Sequence, residues 1–103
     1  MPRLPVRHVS LAELQALFGE MTLWSQIEDG TLSTIVVSSR PATNPHYAGG
    51  TSQMLIHRDI TDRQVCTTHR ILAADGVTVL HWDESDVKLD TETVAKVQQQ
   101  GSA

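Results

Sequence analysis

The stretch Gln53–Trp82 constrains the fold more than any other part of the chain. Side-chain character alternates along it, and turn-forming residues interrupt it at Asp59-Ile60-Thr61-Asp62 and at Asp75-Gly76. A period of two places successive side chains on opposite faces of a strand. The stretch therefore reads as three consecutive strands of an antiparallel meander. Asp-Gly is the strongest hairpin signal in the chain and suits a two-residue type I′ turn.

These turns predict a register. A first turn centred on Ile60-Thr61 sets Ile56 opposite Val65 and His57 opposite Gln64. A second centred on Asp75-Gly76 sets Ile71 opposite Leu80, Arg70 opposite His81, His69 opposite Trp82 and Thr68 opposite Asp83. One face then carries Met54, Ile56, Val65, Thr67, His69, Ile71, Leu80 and Trp82, the composition of a core. The other carries Gln53, Leu55, His57, Gln64, Cys66, Thr68, Arg70, Leu72, Val79 and His81, a polar majority expected to face outward. A slip of one residue in either turn exchanges the faces of one strand.

The rest of the chain supplies a helix, a strand and a loop. Ser10 stands three residues before Glu13, a capping-box spacing, and Val9 is placed to staple against Leu14. Leu11, Leu14, Leu17, Phe18 and Met21 recur at helical spacing. Leu23, Trp24 and Ile27 continue or restart the helix to about Glu28, before the turn signal Asp29-Gly30. Leu32–Ser39 is rich in β-branched residues and predicts a strand. Pro41, Pro45, Gly49 and Gly50 make residues 40–51 a long loop, read as a crossover between distant strands or as a binding element. Asp83-Glu84-Ser85 predicts a bend, Asp86–Leu89 a short fifth strand, and Thr91–Val97 a short helix or an extended tail.

The 103 residues suit one domain spanning 1–103, with 1–8 and 98–103 expected to fray. The fold class expected is α+β: an N-terminal helical segment on a four- or five-stranded, mostly antiparallel meander sheet, or that sheet closed into a small barrel. A single cysteine, Cys66, forbids an intrachain disulfide and suits a reducing cytoplasm. No signal-peptide pattern and no apolar run of membrane-spanning length is present. The net charge is −4, and the excess sits in Asp83, Glu84, Asp86, Asp90 and Glu92. With only two lysines and no clustered arginines, a broad nucleic-acid surface is not expected.

Each candidate for chemistry has a plainer reading beside it. Five histidines invite a metal, but none shows close ligand spacing, and His57 and His81 fall roughly 20 Å apart along the strands. No metal and no cofactor is expected. His57-Arg58-Asp59 reproduces a kinase catalytic-loop string, yet Gln64 stands where that loop needs Asn, so Asp59 reads as a turn residue. Cys66 lies near His57 on a neighbouring strand, an arrangement that activates a thiolate only with an orienting group. Without one, Cys66 reads as a small apolar filler. Arg70 and His81, with Thr68, suit a carboxylate or phosphate, or form a solvated pair.

The function expected is that of a small, non-enzymatic, cytoplasmic protein-interaction module: an accessory subunit, inhibitor or immunity-type protein. It binds a protein partner or a second copy through the polar sheet face, the 40–51 loop or the acidic C-terminal segment. The contact residues expected are Tyr47, His57, Arg70, His81 and Asp83. The competing reading is a small-molecule binder or minor enzyme, with a pocket between the loop and the polar face.

Overall fold

The computed structural model describes residues 4–97. Its strands are β1 (Val6–Val9), β2 (Ser33–Pro41), β3 (Thr51–Arg58), β4 (Gln64–Leu72), β5 (Val79–Lys88) and β6 (Thr93–Lys96). The helices α1 (Leu11–Glu20) and α2 (Leu23–Glu28) lie between β1 and β2. The fold is α+β. The sheet has six strands rather than four or five, in the order β1-β6-β5-β4-β3-β2. It stays open, with β1 and β2 as its edges, so the barrel alternative is not realised. All pairings are antiparallel except β1 with β6.

The start of α1 follows its sequence signal. Ser10 Oγ accepts from the Glu13 amide at 3.1 Å, and the Ser10 hydroxyl donates to Glu13 Oε1 at 3.2 Å. Val9 and Leu14 are buried in the same cluster. Gly19 lies inside the helix, and the break comes at Thr22, whose φ of 53° is left-handed. The chain turns there, so α2 brings Leu23 and Ile27 onto the cluster formed by Leu14 and Phe18. Burying side chains of this size stabilises by about 1.5–3 kcal/mol each.

Both ends of the described chain are strands. Val6–His8, expected to fray, lie in β1, and Thr93–Lys96, expected in a helix or tail, form β6. Four-residue strands carry almost no periodicity, and each of these is made by its partner across nearly the whole chain. Residues 1–3 and 98–103 lie outside the described residues. β5 is continuous through the expected bend, which is reduced to an extra residue, Ser85, between Glu84 and Asp86. The 40–51 loop joins neighbouring strands rather than distant ones. It is shortened by the extension of β2 to Pro41 and tightened by a single 3-10 turn at Pro45–Tyr47.

The register is corrected in two places, by a wider first turn and by an extra residue in β5 after the second. In the first, Asp59 Oδ1 accepts from the amides of Thr61 and Arg63, and Asp62 takes φ 66°. His57 then pairs with Cys66, not Gln64, and Ile56 with Thr67, not Val65. Over that part of the ladder the displacement is even and preserves the faces. In the second turn Asp75 accepts from the amides of Val77 and Thr78 and from the Thr78 hydroxyl. Ala73 N–H bonds to Thr78 O around the four residues 74–77, and Leu72 still pairs with Val79 as the expected register has it. Past that pair Leu80 is an extra residue in β5 that shifts the ladder. Ile71 pairs with His81, Arg70 with Trp82, His69 with Asp83 and Thr68 with Glu84. This displacement is odd, so Trp82 joins the Arg70 face and His81 leaves it.

The helices pack on the face expected to be polar. Cys66, Val87 and Val94 belong to the helix-side cluster, with Trp82 and Trp24 packed against it. Leu55, His57 and Thr68 are fully buried. The opposite face, with Met54, Ile56 and His69, carries no helix.

Candidate functional site

The helix side holds a polar network inside the core. Thr68 Oγ1 lies 2.8 Å from His57 Nε2 and accepts the Trp82 indole N–H at 2.8 Å. His57 Nδ1 lies 3.1 Å from Thr34 Oγ1. Trp24 Nε1 donates to the buried Glu84 carboxylate at 2.9 Å. Arg70 Nε donates to Gln53 Oε1 at 2.8 Å, and its guanidinium stacks over Trp82 at 5.5 Å. Buried polar atoms satisfied in this way are compatible with a core. They leave His57 no lone pair for a ligand.

Cys66 sits directly across from His57, yet its chemistry is suppressed. Burial pushes the thiol up to about 12, and the charge of Asp86 adds to the effect. The imidazole is also held neutral: burial lowers its pKa, a backbone hydrogen bond to Ser33 opposes this, and the charge of Arg70 assists it. A thiolate–imidazolium pair is thus disfavoured at both partners. Cys66 is an apolar filler.

The uncovered face holds a second group of polar side chains. His69 Nε2 lies 2.6 Å from Ser52 Oγ. Asp83 is reached by Lys96 Nζ at 2.6 Å, by His81 Nε2 at 3.6 Å and by His69 Nδ1 at 3.7 Å. The Tyr47 ring stands 6.4 Å from the His81 ring, with His46 packed edge-on against it. Three of the five expected contact residues, Tyr47, His81 and Asp83, therefore meet here. His57 and Arg70 are on the other side of the sheet, and the expected Arg70–His81 corner does not form. Ser52, His69 and Lys96 join Tyr47, His81 and Asp83 with no signal in the sequence to mark them. Alternation along the sequence places His69 on a core face, and Ser52 precedes the Gln53–Trp82 stretch.

No family model matches this chain, and no curated protein or solved structure is significantly similar to it.

Among the described residues, no group of three or more His, Cys, Asp and Glu side chains converges as metal ligands do. No described helix is long and apolar enough to cross a membrane. Asp59, from the kinase-like string, is a turn residue, its carboxyl pKa lowered chiefly by the Thr61 hydroxyl. The acidic residues of 83–92 are engaged within the chain. Asp83 pairs with Lys96, Glu84 with Trp24, Asp86 with Lys88, Asp90 with Arg63 and Glu92 with Arg7. A depression of about 410 Å³ lies at the base of the 40–51 loop, between Ser39–Ala42 and Gly49–Thr51. It does not reach His57, Arg70 or His81.

The remaining prominent surface is an edge. β2 pairs only with β3, and Ile35, Val36 and Val37 on it are 38%, 44% and 54% exposed. The opposite edge, β1, is four residues long, follows Pro5, and has Arg7 tied to Glu92.

Proposed function

We propose that this chain is a protein-interaction module that takes a strand from another protein along β2, and that a second copy is the partner best matched. The carrying observation is the contrast between the edges. β1 is blunted by its length and by Pro5, whereas β2 presents nine residues with an apolar centre and no lysine. Unpaired backbone groups on such an edge are a template for strand addition. The extra residue at Val37 sharpens the local twist, but its side chain adds to the exposed patch.

Self-pairing suits the chemistry of the strand. Arg40 is its one charged residue. Antiparallel pairing about a two-fold axis near Val36–Val37 sets the apolar centres together. Each Arg40 then faces the Leu32–Ser33 end of the other copy, so like charges do not meet. A two-fold contact uses both β2 edges and leaves only the blunted β1 edges, so assembly closes at the dimer.

Light scattering coupled to size exclusion tests this. The wild-type protein is expected to elute as a dimer at tens of micromolar, and Val36→Lys as a folded monomer with the same circular dichroism. A wild-type monomer that also fails to take up a synthetic Ser33–Pro41 peptide rules the reading out.

A further inference from the structure

We propose that Ser52 is a nucleophile, activated by His69 and Asp83 on the uncovered sheet face, and that it accepts acyl groups from activated esters. This inference is independent of association through β2. The three side chains form a row across β3, β4 and β5. His69 pairs with Asp83 on β5 and with Met54 on β3, and Ser52 lies two residues before Met54, diagonal to the ring. Nε2 stands 2.6 Å from Ser52 Oγ, while Nδ1 stands 3.7 Å from Asp83 Oδ1. Hydroxyl, imidazole and carboxylate thus follow in the order that activates a serine.

The plainer reading is a polar stitch between strands. Asp83 argues against it. Its Oδ2 is anchored by Lys96 at 2.6 Å, but its Oδ1, like that of Asp86, is buried and has no hydrogen-bond partner. A structural carboxylate in that position ordinarily finds a donor. Here the ring nitrogen waits just outside hydrogen-bond distance.

A depression of about 340 Å³ is lined by His8, Met54, Thr67, Asp86 and Lys96, among others. Met54 is the residue paired with His69, and Lys96 is the residue holding Asp83, so the depression lies beyond the His69–Asp83 pair as seen from Ser52.

The step balances with an aryl ester as acyl donor. Ser52 Oγ attacks the carbonyl carbon, and its proton passes to His69 Nε2 while Asp83 faces the Nδ1–H. The bond from carbonyl carbon to aryl oxygen breaks, its electron pair leaves on that oxygen, and His69 returns the proton to it. Water activated by His69 then hydrolyses the acyl-Ser52, releasing a carboxylic acid. β3 is laddered to strands on both sides of Ser52, so the backbone there offers no free pair of N–H donors for an oxyanion. Reaction is accordingly confined to activated donors and excludes peptides.

A fluorophosphonate probe reads the nucleophile directly. On the wild-type protein, intact mass should rise by one phosphonyl group, with fluoride lost, and peptide mapping should place it on Ser52. Ser52→Ala should remain unlabelled, and His69→Gln should label at least ten-fold more slowly while keeping its urea midpoint. Hydrolysis of p-nitrophenyl acetate should fall in parallel. No labelling of the wild type, or labelling mapped to a residue other than Ser52, overturns the proposal without reference to any variant.

Discussion

The Thr68 hydroxyl lies 2.8 Å from His57 Nε2, and both side chains are fully buried beneath the helices. The Trp82 indole N–H donates to the same oxygen, so the Thr68 proton is free to point at Nε2. This assigns His57 the Nδ1–H tautomer, in keeping with its backbone hydrogen bond to Ser33.

Thr68→Val keeps the shape of the side chain and removes its oxygen. It leaves a buried imidazole nitrogen and a half-buried indole N–H without partners. At about 1–3 kcal/mol for each unsatisfied group, the expected loss is about 2–4 kcal/mol in urea unfolding. A loss below about 0.5 kcal/mol would show that the network is not structural.

The imidazole makes stability depend on pH. Its folded pKa lies below the unfolded value of about 6.5, chiefly because of burial. The unfolded chain therefore binds the proton first. The contribution is fully present above about pH 6.5 and is lost as pH falls through that value toward the folded pKa. Urea midpoints at about pH 7.5 and about pH 5 should differ more for wild type than for His57→Asn. Equal differences in the two proteins contradict the assignment.

Cys66 should be inert in the folded protein. At about pH 8 a thiol held up at about 12 is almost wholly protonated. Ellman's reagent should give no signal from the native chain over minutes and one equivalent in denaturing urea. Rapid native reaction would mean that the helices open over β4.

Gly50 anchors the base of the loop. A Cβ there would sit 2.5 Å from Leu72 O and 3.0 Å from Tyr47 O, both backbone atoms. Gly50→Ala must shift the loop against the end of β4. A loss of about 1–3 kcal/mol is expected from thermal unfolding, by analogy with overpacked sites.

Much of the architecture was legible because it is written locally. Ser10 with Glu13 marked the start of α1, and alternation marked β3, β4 and the first half of β5. The assignment of faces was not legible. His57, Thr68, Arg70 and Gln53 score as surface residues one at a time, yet they satisfy one another in pairs that no single-residue measure registers. The register was no more legible. Asp59 gathers the amides of Thr61 and Arg63 and so widens its loop, whereas the second displacement arises at the extra residue Leu80 in β5, which no turn signal reveals. Of the candidate site, Tyr47, His81 and Asp83 were read from the sequence. Ser52 and His69 were missed because their proximity depends on the strand register.

The clasp between β1 and β6 has a consequence in time. The hairpins of β2 through β5 join sequence neighbours, so each can form as soon as its own strands exist. Val6 must wait for Thr93, with almost the entire chain between them. Closing a loop of that length confers its contacts only after the entropy has been spent, which places the clasp last in the folding sequence. The N-terminal strand is therefore a latch that shuts on an otherwise assembled sheet, and its amides should be among the first to exchange when the protein breathes.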